Sequence, residues 1–406
     1  MKSIKVFALC GMAAVLGACV APTPAPSPAP TQAPATAVPT KPPAPTAVVP
    51  TAAPSPTAVV VPTAAPASTS SAPTPLPYDK GVLTILTHSS FEMTADLKAA
   101  FEKQTGAKVQ ILKLGDAGEA LNKVILSKGS PLGDVFYGVD NTFLSRAVKA
   151  DIFDAYTPKG ADALPSTIKL DASGKLTPID VGYVNINTDL AAFAKSKLAV
   201  PKTLKDLTKP EYKGMLVMEN PATSSPGLAF ILASIATFGE TGAYTWKDFW
   251  KDMRANGVVI QPGWNEAYYQ SFSAGSGSQG NVPMVVSYAT SPAAEVFFSE
   301  GKLTEPPTGN IMPDNGAFKQ VEFAGVLKGA KNPELARQWL DFMISKDFQE
   351  DIPLNMFVYP ALPSAKLPDV FTKFAPVPAK PAALTPEQIS ANRDRWIQEW
   401  TQVVLR

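Results

Sequence analysis

From residue 80 onward the sequence predicts an α/β fold in two lobes, each a mainly parallel sheet covered by helices and linked to the other through a two-strand hinge. Three observations predict it. Short β-branched runs alternate with amphipathic stretches, the signature of parallel strands joined by helical crossovers. The alternation occurs once between residues 82 and 141 and again between 214 and 288, which makes two units. Two apolar extended runs far apart in the chain, 181–187 and 319–326, suit paired strands that cross between the units and let them bend.

Residues 82–86, Val-Leu-Thr-Ile-Leu, open the first unit as a strand. A helix follows over 92–105, with Leu97, Ala100 and Phe101 on one face and Gly106 as its stop. Strand 108–112, helix 119–127 and strand 134–137 repeat the unit. The second unit reads as strand 214–218, apolar helix 227–238, helix 246–254, short strand 258–260 and strand 282–288. A terminal helix spans 385–405, with Pro386 in its first turn. Its buried face is expected to be Ile389, Trp396, Trp400 and Val403, a packing stripe.

The chain begins with an export pattern: Lys2 and Lys5 precede an apolar run from Val6 to Ala18, too short to span a bilayer as a mature helix. The run ends in Leu16-Gly17-Ala18-Cys19, which resembles a bacterial lipobox. Residues 1–18 are therefore expected to leave as a signal peptide, and Cys19 to carry a diacylglycerol as the mature N-terminus. Cys10 would be lost with the peptide, so thiol and disulfide chemistry are not expected. Residues 19–79 mix Pro, Ala, Thr, Ser and Val almost without charge or aromatic rings, and such a segment cannot build a core. At about 3.1 Å per residue in polyproline-II geometry, it reads as a tether on the order of 100–180 Å long.

Composition narrows function. Among 406 residues the formal net charge is +1, which excludes the basic footprint of a nucleic-acid binder. His88 is the only histidine, and there is no Gly-x-Ser-x-Gly elbow, phosphate-cradling Gly-rich loop with Lys, or Cys/His cluster. The chain is poorly supplied for catalysis and calls for no cofactor and no resident metal.

Ligands of open α/β sheets sit beyond the carboxyl ends of strands. The strand-end segments are Thr87-His88-Ser89-Ser90, Leu114-Gly115-Asp116-Ala117-Gly118, Gly138-Val139-Asp140-Asn141, the run 220–227, and Ser287-Tyr288-Ala289-Thr290-Ser291-Pro292. Thr223-Ser224-Ser225-Pro226-Gly227 precedes an apolar helix, where hydroxyls bind an anion or a polar tail, although helix capping explains the same residues. Trp264, after strand 258–260, offers a π face to a cation or flat ring. Asp116, Asp140 and Glu266 make these loops acidic, which favours a cationic ligand.

Thr223-Ser224-Ser225-Pro226-Gly227-Leu228 and Ser287-Tyr288-Ala289-Thr290-Ser291-Pro292, together with Pro201-Lys202-Thr203-Leu204-Lys205-Asp206-Leu207, Tyr212-Lys213-Gly214, Gly263-Trp264-Asn265-Glu266-Ala267-Tyr268, Gln320-Val321-Glu322, Asn332-Pro333-Glu334-Leu335-Ala336 and Tyr359-Pro360, carry a family resemblance. From residue 82 to the end the sequence resembles the thiamine-binding periplasmic proteins of ABC transporters, within the wider iron- and polyamine-binding group. The resemblance implies the periplasmic-binding-protein type II fold, two Rossmann-like lobes on a two-strand hinge. It implies lobe 1 over 80–183, lobe 2 over 184–320, a return to lobe 1 over 321–360 and a C-terminal helical segment over 361–406. It also implies an extracytoplasmic monomer, held to the membrane by its lipid, that delivers thiamine or thiamine phosphate to an ABC permease. Carried over by residue, Asp116 and Ala117 approach the aminopyrimidine, Ser224 and Ser225 the hydroxyethyl or phosphate end, and Trp264 with Tyr288, Ala289, Thr290, Ser291 and Pro292 wall the rings. The sequence departs from the pattern at His88, Ala294 and Phe357, where the family has aromatic residues, a Trp in the last case. Two alternatives stay open: another organic cation, or ferric iron held by Tyr268, Tyr269 and His88.

Overall fold

The computed structural model describes residues 81–406, so the signal peptide, Cys19 and the whole tether lie outside the described residues. The first βαβ unit comprises β1 (Val82–Thr87), α1 (Ala95–Thr105), β2 (Lys108–Lys113), α2 (Ala117–Leu126) and β3 (Val135–Asp140). α3 (Leu144–Ala150) and β4 (Phe153–Asp154) follow, then the long β5 (Thr177–Asp189). Beyond β5 come α4 (Leu190–Ser196), β6 (Leu216–Glu219), α5 (Ser225–Phe238), α6 (Trp246–Ala255), β7 (Val259–Gln261), β8 (Met284–Tyr288), α7 (Ser291–Phe298) and β9 (Thr308–Ile311). β10 (Phe318–Leu327) returns to the first half, and α8 (Pro333–Met343), α9 (Lys346–Asn355), β11 (Tyr359–Pro360), α10 (Asp369–Phe374) and α11 (Pro386–Val404) complete the chain.

The main sheet path runs β2-β1-β3-β10-β5-β8-β6-β7. Within each half the βαβ neighbours are parallel: β1 with β2 and β3, and β6 with β7 and β8. Every ladder that joins β5 or β10 to another strand is antiparallel, so the sheet is mixed rather than mainly parallel. The two long strands enter each half against the direction of its βαβ strands, a property that residue patterning does not encode. They pair with each other, Gln320 facing Gly182 and Val321 facing Val181, and the expected lobe boundaries at 183/184 and 320/321 fall inside them.

Local chemistry sets the helix starts. The helix expected from residue 92 begins at Ala95, because the Thr94 side chain caps it by accepting from the Leu97 N–H at 3.3 Å. The helix expected from 119 begins at Ala117, with Asp116 as its cap. Thr94→Ala is expected to lower stability by about 1 kcal/mol, read as a lower thermal midpoint with ligand binding unchanged.

α5 is buried from Ser225 to Ile235, as suits a helix apolar on all sides. It can lie on β6 because Gly227 has no side chain; a Cβ there would come within 2.5 Å of the Glu219 carbonyl oxygen. Trp250 anchors this half of the core, edge-on to Phe230 and Trp400, with its indole N–H donating to Ser234 Oγ at 2.9 Å. α11 buries Ile389, Arg393, Trp396, Trp400 and Val404; Val404 therefore takes the place expected for Val403. α11 packs on α6 from the second half and α3 from the first, with Arg393 over the Phe143 ring at 4.7 Å.

Candidate functional site

A cavity of about 490 Å³ opens where the carboxyl ends of the parallel strands from the two halves face each other, a size usual for small-molecule sites. Asp116, capping α2, is its first fixed point. One carboxylate oxygen accepts from the Ala117 N–H at 2.6 Å, and the other accepts from the Trp264 N–H, across the cleft, at 2.8 Å. Desolvation pushes its pKa up to about 6, held down in part by those two backbone donors and the Ser224 side chain.

Trp264 follows β7, and its indole is fixed on several sides. Its N–H donates to Ser287 Oγ at 2.9 Å, its ring stacks on Tyr268 at 4.9 Å, and Tyr269 stands edge-on at 5.3 Å. The Tyr288 ring lies 6.5 Å away on the same cavity. The chain between Glu266 and Ser271 coils in a wide turn, closed by Phe272 N–H donating to the Ala267 carbonyl five residues back at 3.0 Å. Such turns reorient side chains, and this one points both tyrosines at Trp264.

The two halves touch at both ends of the cleft. Gly118 N–H donates to the Thr223 carbonyl at 2.9 Å, and Asn265 contacts Ser89 and Ser90 at 3.4 Å each. Thr290 Oγ1 donates to the Phe357 carbonyl. Phe357 takes φ +51°, a left-handed backbone that costs a bulky residue energy and marks a site held by its surroundings. Its ring packs on Phe298 at 5.0 Å, and both rings line the cavity.

Of the residues expected at a ligand, the structure brings His88, Asp116, Ala117, Ser225, Trp264, Tyr288, Thr290, Ser291 and Phe357 to the cavity wall. Four others stand behind it. Ser224 is fully buried beside the Asp116 carboxylate. Ala289 is buried, its N–H donating to the Tyr183 carbonyl at 2.8 Å, and Pro292 is buried in the first turn of α7. Asp140 is fully buried and spent on the fold. One oxygen accepts from the Thr142 N–H and hydroxyl and the Phe143 N–H, and the other accepts from Gln320 Nε2 at 2.9 Å. Its place at the end of β3 thus makes it close the turn into α3 rather than view the cleft.

The proposed iron set fares poorly on chemistry. Tyr268 is buried and its hydroxyl donates to Glu295 Oε1 at 2.7 Å, and burial with that carboxylate drives its pKa well above the ordinary phenol value. Tyr269 is also pushed upward, first by burial. A ferric ion using this pair would have to take the Tyr268 hydroxyl away from Glu295.

Residue patterning alone did not single out four further wall residues: Glu295, Phe298, Gln320 and Glu322. Strand alternation puts Gln320 and Glu322 on one face of β10, a usable signal. Phe298 lies one helical turn beyond Ala294, so its ring stands near the place of the missing aromatic. His88 has its pKa lowered to about 4, first by burial and then by Lys113, so it is neutral at pH 7. Gly138, at φ +109°, lets it in: a Cβ at that position would meet the imidazole at 2.6 Å. The wall holds four carboxylates, Glu92, Asp116, Glu295 and Glu322, and no Lys or Arg among the described residues.

Residues 130–380 match the family model described as bacterial extracellular solute-binding protein. The chain is 33% identical to the thiamine-binding periplasmic protein of Salmonella typhimurium, over 81% of this chain and 95% of the relative. The chain belongs to the bacterial extracellular solute-binding proteins, in the family of thiamine-binding periplasmic proteins. The relative of the same description from Brucella suis is 30% identical over 82% of this chain and 95% of its own. Among solved structures, a periplasmic thiamin binding protein superposes with a TM-score of 0.69 at 30% identity, covering 80% of this chain and 96% of that one. Iron-bound HitA from Pseudomonas aeruginosa superposes with a TM-score of 0.61 at 20% identity, covering 79% and 99%, a likeness of fold alone. As a member of this family, the solute-binding protein acts outside the cytoplasm, and its family is one of transport rather than of catalysis.

Proposed function

We propose that this solute-binding protein holds thiamine in the cleft between its two halves and delivers it to an ABC permease, without catalysing a reaction. One observation carries the reading: the cleft combines aromatic faces with four carboxylates and no basic side chain among the described residues. Thiamine is a permanent cation with two flat rings, and such ligands want π faces, a carboxylate and a few hydroxyls. Asp116 and Ala117 would meet the aminopyrimidine, Trp264, Tyr288 and Phe357 the ring faces, and Ser225 the hydroxyethyl end. Ser224 acts through Asp116 rather than by touching the ligand. The protein works as a monomer whose lobes divide within β5 and β10, and closure bends those two strands.

Native mass spectrometry of protein purified without stripping its ligand tests the assignment. A mass increment matching thiamine supports it. A metal increment with a coloured protein, or a different organic mass, overturns the ligand. The anchor has its own test. Cys19→Ala is expected to move the protein from the membrane fraction to the soluble one, and continued membrane retention would remove Cys19 as the lipidation site.

A further inference from the structure

Beneath the aromatic cage, the two crossover strands carry a pair of acids that ring recognition does not explain. Glu322 on β10 and Asp180 on β5 are register partners, directly opposite each other where the halves join. Both are buried, Asp180 fully and Glu322 at 6% exposure, and Glu322 lines the cavity. A single hydroxyl stands between them: Tyr137 on β3 lies 2.5 Å from Asp180 Oδ2 and 3.1 Å from Glu322 Oε2. That hydroxyl has one hydrogen and cannot satisfy two ionised carboxylates. Burial, followed by the neighbouring carboxylate, drives the Glu322 pKa well up, and Asp180 also rises, chiefly through burial.

Among the described residues the pair has no positive partner. His88, at the end of β1, is 8% exposed, and its Nε2 lies 3.4 Å from Glu322 Oε1 without a hydrogen-bond partner among the described residues. It is neutral, as burial dictates. Asp140 from β3 adds a third negative group, Tyr288 from β8 is a neutral phenol, and Lys113 from β2 is engaged with Glu92. A buried carboxylate pair of this kind keeps one proton between its members.

We propose that Glu322 is the carboxylate that meets the ligand's positive charge, and that the proton it shares with Asp180 passes to solvent when the cation enters. This rests on the cleft binding an organic cation as set out above. Capture is then proton-coupled: one proton released per ligand means an association constant that rises tenfold per pH unit. Because the pair sits on the crossover strands, the charge change falls where the halves bend.

The test uses thiamine as the probe, titrated calorimetrically into the whole protein at pH 7.5 in two buffers of different ionisation enthalpy. Asp116, with its pKa near 6, is already ionised there and contributes little. The wild type is expected to release close to one proton per thiamine. Glu322→Gln should abolish the release and weaken binding at least tenfold. Asp180→Asn should reduce the release while keeping affinity within a few-fold, since Glu322 then loses the like-charged neighbour that helps to hold its proton. Buffer-independent heats in a wild type that binds thiamine would overturn the inference and leave the function standing, as would a release that persists in Glu322→Gln. Absence of any thiamine heat would overturn the binding reading and this one with it.

Discussion

Asp116→Ala is expected to weaken thiamine binding by about 2–4 kcal/mol, on the order of 30- to 1000-fold in Kd. The carboxylate does two jobs at once. It accepts from Ala117 at the start of α2 and from Trp264 across the cleft, so it joins the halves, and on the proposed reading it also offers an acceptor to the aminopyrimidine. Hydrogen bonds to a charged acceptor contribute about 1.5–3 kcal/mol each, and truncation leaves both backbone donors without that partner. Asp116→Asn separates the roles, because the amide oxygen can still accept one of the two bonds after the charge has gone. Isothermal calorimetry on the two variants should rank Ala as the worse. Equal, near-wild-type affinities would remove Asp116 from the site.

Trp264→Ala is expected to cost about 1–2 kcal/mol of affinity through loss of a π face against a cationic ring. Removing the indole also leaves Ser287 Oγ without its donor and Tyr268 without the ring it stacks on. The wall would loosen beyond the contact itself. Trp264→Phe keeps a face and loses the N–H, so it should recover part of the affinity. An unchanged Kd in Trp264→Ala would show that the ligand sits elsewhere.

Much of the fold was legible because its strands are short β-branched runs and its central helix is uniformly apolar. β1, β2 and β3 read directly, as did α5, α6 and β8. β5 and β10 stood out as extended apolar runs too distant to form a hairpin, and the hinge followed from them. Their antiparallel direction was not legible, since strand composition carries no sign of orientation. Helix starts slipped by two or three residues where Thr94 and Asp116 set the caps. α3, α4 and the helices from α7 to α10 went unread, partly because several are two turns or fewer and take their stability from packing.

The site was legible as a set of loops and illegible as a set of contacts. Trp264 was chosen for its ring, yet its backbone N–H, bonded to a residue 148 positions earlier, ties the cleft together. Asp140 was chosen as a strand-end acid, but its neighbours Thr142 and Phe143 consume it locally. Ser224 and Ser225 look equivalent in sequence, and only one of them faces the cavity. Glu322 and Asp180 become a pair only when two strands far apart in the chain are laid side by side.

A crystal structure of the protein grown with thiamine tests the central claim most directly. The expected result is one flat, two-ring density against Trp264, Tyr288 and Phe357, with its aminopyrimidine within hydrogen-bond reach of Asp116. Thiamine seated on another surface, or a cleft that excludes it at saturating concentration, would contradict the account.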